Sequence, residues 1–126
     1  MIKGIIFDLD NCIFNTCSMD EHSIDPVLKP LWDSHLPDNV KREVQNGLWV
    51  SSLEDIVDQH HVPADVAEKM SKAYLGLEIP KENSLKTYGD EQCIAGLAVK
   101  KYLVTSGYRK FQQSKIDTLN IGDLFD

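Results

Sequence analysis

Apolar positions along this chain follow two rhythms. Gly4-Ile5-Ile6-Phe7 is a short unbroken apolar run, and Lys101-Tyr102-Leu103-Val104 is a second one near the other end. Runs of this length, rich in β-branched and aromatic residues and closed by polar ones, predict buried strands. Between them, across about residues 16 to 88, apolar residues recur at helical spacing, punctuated by prolines at 26, 30, 37, 63 and 80, and nothing there reads as a strand. Ser51-Ser52-Leu53-Glu54 has the form of a capping box, with Leu53, Ile56 and Val57 following at helical spacing. Pro63 opens a further helix with Val66, Met70, Ala73, Tyr74 and Leu77 on one face. Asp90 starts a helix carrying Ile94, Leu97 and Ala98. Tyr108 to Ile121 forms another, with Phe111, Ile116 and Leu119 inward and Gly122 as its C-terminal stop. The pattern predicts an α/β chain with a helical insert between its two strands.

What ends each strand changes the picture from architecture to chemistry. The first run stops on Asp8 and Asp10, and α/β sheets place their ligand sites at the carboxyl ends of strands. If the strand continues, its alternation points both carboxylates the same way, and two like charges that close repel unless a cation or a divided protonation role offsets them. A metal is the economical explanation. The second run stops on Thr105-Ser106-Gly107. Hydroxyls and free backbone N–H groups at a strand end, with a helix following, make a seat for an oxyanion or phosphate.

Together, Phe7-Asp8-Leu9-Asp10-Asn11 and Leu103-Val104-Thr105-Ser106-Gly107 resemble the first and second motifs of the haloacid dehalogenase superfamily of phosphatases and phosphotransferases. Asn15-Thr16 sits where many members carry an Asp or Asn followed by a small polar residue, and Leu119 to Asp126 resembles the segment leading into the third strand of that fold. The resemblance implies a partial Rossmann-like core of parallel strands, residues 1–15 and 89–126, with an all-helical mobile cap inserted between the first and second strands, residues 16–88. It also sets a departure. Members carry a lysine in a third motif and one or two acids in a fourth, and neither motif lies within the 126 residues. Lys110 and Lys115 fall on the helix after Ser106, not after a further strand.

The implied activity is hydrolysis of a phosphomonoester of a small phosphorylated metabolite. Asp8 attacks phosphorus and forms an aspartyl-phosphate, and Asp10 acts as general acid and then general base. Magnesium is held by an Asp8 oxygen and the Asp10 carbonyl, and Thr105, Ser106 and Gly107 receive the phosphoryl oxygens. Loss of the family lysine removes one electrostatic partner, on the order of 3 kcal/mol or a hundredfold in rate. Dehalogenation of 2-haloacids expels a halide that needs no proton, so Asp10 argues against it, and phosphomutase chemistry also stands behind hydrolysis. The rival from a different class is a truncated, catalytically incomplete member that serves as a binding or assembly module.

Composition narrows the rest. With 126 residues the chain is one domain in size, its 42% apolar content suffices for a core, and no run approaches the roughly 20 apolar residues a bilayer span needs. Thirteen basic and twenty acidic residues give a net charge of −7, which argues against nucleic-acid or anionic-membrane surfaces. Three cysteines without C-x-x-C spacing fit a reducing cytoplasm, no secretory leader is expected, and Cys12 reads as a buried apolar filler. His60-His61 points its rings about 100° apart on a helix and so reads as a solvated helix end, not a chelate. Trp32, Trp49, Tyr74 and Tyr88 read as packing before pocket lining. Two strands alone leave Ile5 and Phe7 uncovered, which predicts self-association, including a homodimer or domain swap, or poor folding, and the missing downstream acid predicts weak magnesium binding.

Overall fold

The computed structural model describes residues 1–126. In chain order the elements are strand β1 (Gly4–Asp8), helices α1 (Asp25–Trp32), α2 (Asp38–Gly47), α3 (Leu53–Gln59), α4 (Ala64–Gly76) and α5 (Glu91–Ala95), strand β2 (Lys100–Val104) and helix α6 (Arg109–Leu119), with short 3-10 turns at Thr16–Ser18, Glu21–Ile24 and Gly122–Leu124. The protein is mixed α/β with a two-stranded parallel sheet in which Gly4 is opposite Lys100 and Asp8 opposite Val104. No helix is long and apolar enough to cross a membrane.

The chain divides into two compact units. One comprises Met1–Asp20 with Glu78–Asp126, the other Glu21–Leu77. These boundaries differ from the 15/16 and 88/89 divisions read from sequence, because both connecting segments are hydrogen-bonded to each other. Phe14 bridges Thr87 in antiparallel fashion, Asn15 N–H donates to the Lys86 carbonyl at 2.9 Å and Tyr88 N–H to the Ile13 carbonyl at 3.2 Å.

In the Glu21–Leu77 unit α1 packs on α4, burying Val27, Leu28 and Leu31 of α1 and Val66, Met70 and Tyr74 of α4. The helical spacing read around Val66 to Leu77 is thus the packed face. The cap of α3 is Ser52, whose Oγ accepts from Asp55 N–H at 3.1 Å and donates to Asp55 Oδ2 at 2.8 Å, one residue later than the Ser51/Glu54 pairing. Lys41 is buried because its ammonium caps the end of α1, donating to the Trp32 carbonyl at 3.1 Å.

In the other unit the strands expose one face. Ile6, Tyr102 and Val104 are 70%, 41% and 55% exposed, whereas Ile5, Phe7 and Leu103 are half-buried. The uncovered residues are therefore not Ile5 and Phe7, because Phe7 packs edge-on against Phe125 with ring centroids 5.9 Å apart and the period of two turns Ile6 the other way. The outer side of β2 is met at Lys101, whose N–H donates to Asp126 Oδ2 at 2.7 Å and whose carbonyl accepts Asp126 N–H at 2.8 Å. Helix α5 stops at Ala95, leaving Leu97 37% exposed. Helix α6 ends on Asn120, left-handed at φ 53°, while Gly122 begins the following turn. Asn tolerates that conformation, so the stop falls two residues before the glycine.

Candidate functional site

The strand β1 ends at Asp8 and does not continue to Asp10, so the two carboxylates are not successive same-face residues of one strand. Asp8 is exposed, and its Oδ1 accepts the Leu9 N–H at 2.8 Å. The chain then folds back on itself. Leu9, fully buried, accepts at its carbonyl the N–H groups of Cys12 (3.3 Å), Ile13 (3.1 Å) and Phe14 (2.9 Å), and Asn11 takes φ 58° to make the reversal. Asn is among the few residues that accept that conformation readily. This turn puts Asp10 in bridge register with Phe14. It also turns Cys12 outward, so the expected buried filler is an exposed thiol.

Helix α6 supplies what the sequence reading missed. Lys115 Nζ lies 2.8 Å from Asp10 Oδ1, and Gln112 Nε2 donates to Asp10 Oδ2 at 3.1 Å and to the Ser106 carbonyl at 2.7 Å. The Lys115 side chain is 5% exposed, with its ammonium 4.5 Å from the Phe111 ring centroid and 5.5 Å from that of Phe14. Two aromatic faces and a carboxylate are what make a buried ammonium tolerable. Burial lowers the Lys115 pKa from 10.5, opposed by the charge of Asp10 and the hydrogen bond to it. The buried face of α6 is therefore Phe111, Gln112 and Lys115, with Ile116 and Leu119 half-buried beside it. The signal available in the sequence was the spacing. Positions 111, 112 and 115 share a helix face, and Lys115 follows Phe111 by one turn.

The loop after β2 lies at the same end of the sheet as Asp8, because Asp8 is opposite Val104 and Thr105 follows at once. Thr105 is half-buried, its Oγ1 3.5 Å from the Ser106 carbonyl, and Ser106 and Gly107 are exposed. Gly107 has φ 112°, and a Cβ there would lie 3.0 Å from Gln112 Nε2. Backbone conformation and space both require glycine at this point. The structure thus brings together Asp8, the Thr105-Ser106-Gly107 turn and Asp10, with Gln112 tying the last two.

Of the two acids, only the Asp8 carboxylate is exposed. The Asp10 carboxylate is engaged by Lys115 and Gln112, and no group of three His, Cys, Asp or Glu side chains gathers to enclose an ion. His60 is half-buried, with Nδ1 3.4 Å from Glu43 Oε2, while His61 is exposed at φ 51°. The helix end is solvated at His61 but not at His60. Of the aromatics, Tyr74 is buried packing, whereas Trp32 and Tyr88 are 39% and 53% exposed. Trp32 Nε1 donates to Gln45 Oε1 at 3.0 Å.

Compared with known proteins, the chain matches no family model and no curated sequence.

Proposed function

We propose that the protein is a haloacid dehalogenase-like hydrolase acting on a small phosphorylated metabolite in the cytoplasm, with a Rossmann-like core and the intervening helices as its cap. The observation that carries this reading is the meeting of three groups at one end of a parallel strand pair. These are an exposed carboxylate (Asp8), a turn rich in hydroxyls and glycine (Thr105, Ser106, Gly107), and a second carboxylate (Asp10) tied to that turn through Gln112.

An Asp8 oxygen attacks phosphorus as the bond to the leaving alkoxide breaks, giving an aspartyl-phosphate. Asp10, entering the step in its protonated form, gives that proton to the alkoxide, then takes one from the water that releases inorganic phosphate and regenerates Asp8. The Thr105 hydroxyl and the Ser106 and Gly107 N–H groups receive the phosphoryl oxygens. Asp8 and the Asp10 carbonyl would hold magnesium, which would supply charge neutralisation at the phosphoryl group. The net charge of −7 supports partners that are neither nucleic acid nor anionic membrane.

A second reading, a non-turnover member acting as a binding or assembly module, is favoured by the engagement of both Asp10 oxygens inside the chain. Turnover separates the two. The full chain is expected to hydrolyse p-nitrophenyl phosphate in a magnesium-dependent manner, and Asp8→Asn to reduce this to background. Undiminished hydrolysis in that variant would remove Asp8 from the mechanism, and no hydrolysis by the parent would favour the module.

A further inference from the structure

We propose that Lys115 and Gln112 are positioning residues of the site, acting on the reaction through Asp10 and not on the substrate. The inference rests on the reading of Asp8 and Asp10 as a hydrolytic pair. Asp10 lies beyond the end of β1 in a turn held by main-chain hydrogen bonds and by the Leu9 N–H on Asp8 Oδ1, none of which engages the Asp10 side chain. Its orientation comes from α6. The ammonium of Lys115 takes Oδ1 and the amide of Gln112 takes Oδ2, and these two residues, three apart, present parallel donors from one helix face.

Each partner is itself fixed. Lys115 is held between the Phe14 and Phe111 rings, and Phe14 is fully buried at the bridge to Asp10. Gln112 makes a second hydrogen bond to the Ser106 carbonyl, which settles the orientation of its amide, since both neighbours are acceptors. The Asp10 carboxylate and the Ser106-Gly107 turn, which come from two different strand ends, are therefore spaced by one amide nitrogen. A lysine reaching the carboxylate from this helix also supplies positive charge beside the acids without a further strand to carry it. Errors of an ångström in such placement cost about a hundredfold in rate.

The test is a double-mutant cycle on the full chain with p-nitrophenyl phosphate, whose leaving group departs without a proton, so that the assay reads Asp10 in its later role as base toward the attacking water and an Asp10→Asn background stays measurable. Lys115→Met and Gln112→Met are each expected to lower kcat by about tenfold to a hundredfold with little change in KM, and Lys115→Arg to recover most of the loss. In the Asp10→Asn background the same substitutions are expected to have almost no further effect, as for residues that act through one carboxylate. A full, additive loss in that background, or a loss expressed in KM with kcat intact, would overturn the proposal. Should Lys115→Met lose its cooperative urea transition, Gln112→Met decides alone, since it removes the second contact to the same carboxylate and leaves the ion pair. A parent chain without Asp8-dependent turnover would overturn the hydrolase reading and this inference with it. A parent that turns over with Lys115 and Gln112 variants unchanged would overturn only the inference.

Discussion

Replacing Gly107 by alanine asks how much the amide that spans Asp10 and the Ser106 turn contributes to stability. Two costs add at this position. The φ of 112° is one that side chains rarely adopt, at about 1–2 kcal/mol for a Cβ forced into the left-handed region. The new methyl would also sit 3.0 Å from Gln112 Nε2, a nitrogen that donates to Ser106 at 2.7 Å and to Asp10 at 3.1 Å. Gln112 is buried and cannot swing into solvent, so weakening those bonds, one of them to a charged acceptor, adds about 1–3 kcal/mol. Gly89 provides the control within the same unit, with φ 90° and nothing within 4 Å of the place an added methyl would take. Gly89→Ala carries the backbone cost alone. In urea unfolding, with a slope of about 1–2 kcal/mol/M for a chain of this size, Gly107→Ala is expected to lower the midpoint by roughly 1 M more than Gly89→Ala does. Equal shifts in the two variants would show that the Gln112 contact contributes nothing, and the account of the site as a cross-tied pair of loops would fall.

Other expectations follow from particular contacts. Gly47→Ala drives a methyl into Ile56, which is 3% exposed, and is expected to destabilise by about 1–3 kcal/mol in urea titration; a neutral result would mean that α2 and α3 separate freely. Lys115 has its pKa lowered in the folded state, so between that lowered value and 10.5 the unfolded chain binds more protons. Stability contributed at this residue is thus present above 10.5 and lost as pH falls through the folded value. The stability of the parent minus that of Lys115→Met is expected to rise with pH across this window, and a flat or falling difference in pH-resolved urea unfolding would refute it.

The strands and most helices were legible because period-two and period-3.6 patterns are local properties of the chain. Two things were not. Both faces of β1 carry apolar side chains, Ile6 on one and Ile5 with Phe7 on the other, so alternation alone could not say which is covered; that depends on Phe125, at the far end of the chain. The role of α6 was hidden for a related reason. A reading that sorts apolar inward and polar outward assigns Lys115 and Gln112 to solvent, and only the turn at Asn11, which moves Asp10 off the strand, creates a buried acceptor for them. That Thr105 follows the end of a strand parallel to the one ending on Asp8 was legible from the two motifs, whereas the departure of Asp10 from the strand and its contacts with Lys115 and Gln112 are tertiary facts.

The pairing of residues 13–18 with 86–88 has a consequence for how this chain can vary. Phe14 with Thr87, Asn15 with Lys86, and Ser18 Oγ, which receives the Lys86 N–H at 2.8 Å, pin the exit and re-entry points together. Whatever lies between them closes a loop whose ends are already joined. Doubling the length of such a loop costs only about 0.6 kcal/mol, and Asp8, Asp10, Thr105, Gln112 and Lys115 all lie on the other side of the fastening. The stretch from Glu21 to Leu77 therefore lies inside a loop already closed at its base, so a change in its length carries little closure penalty and leaves the fastening between residues 13–18 and 86–88 in place.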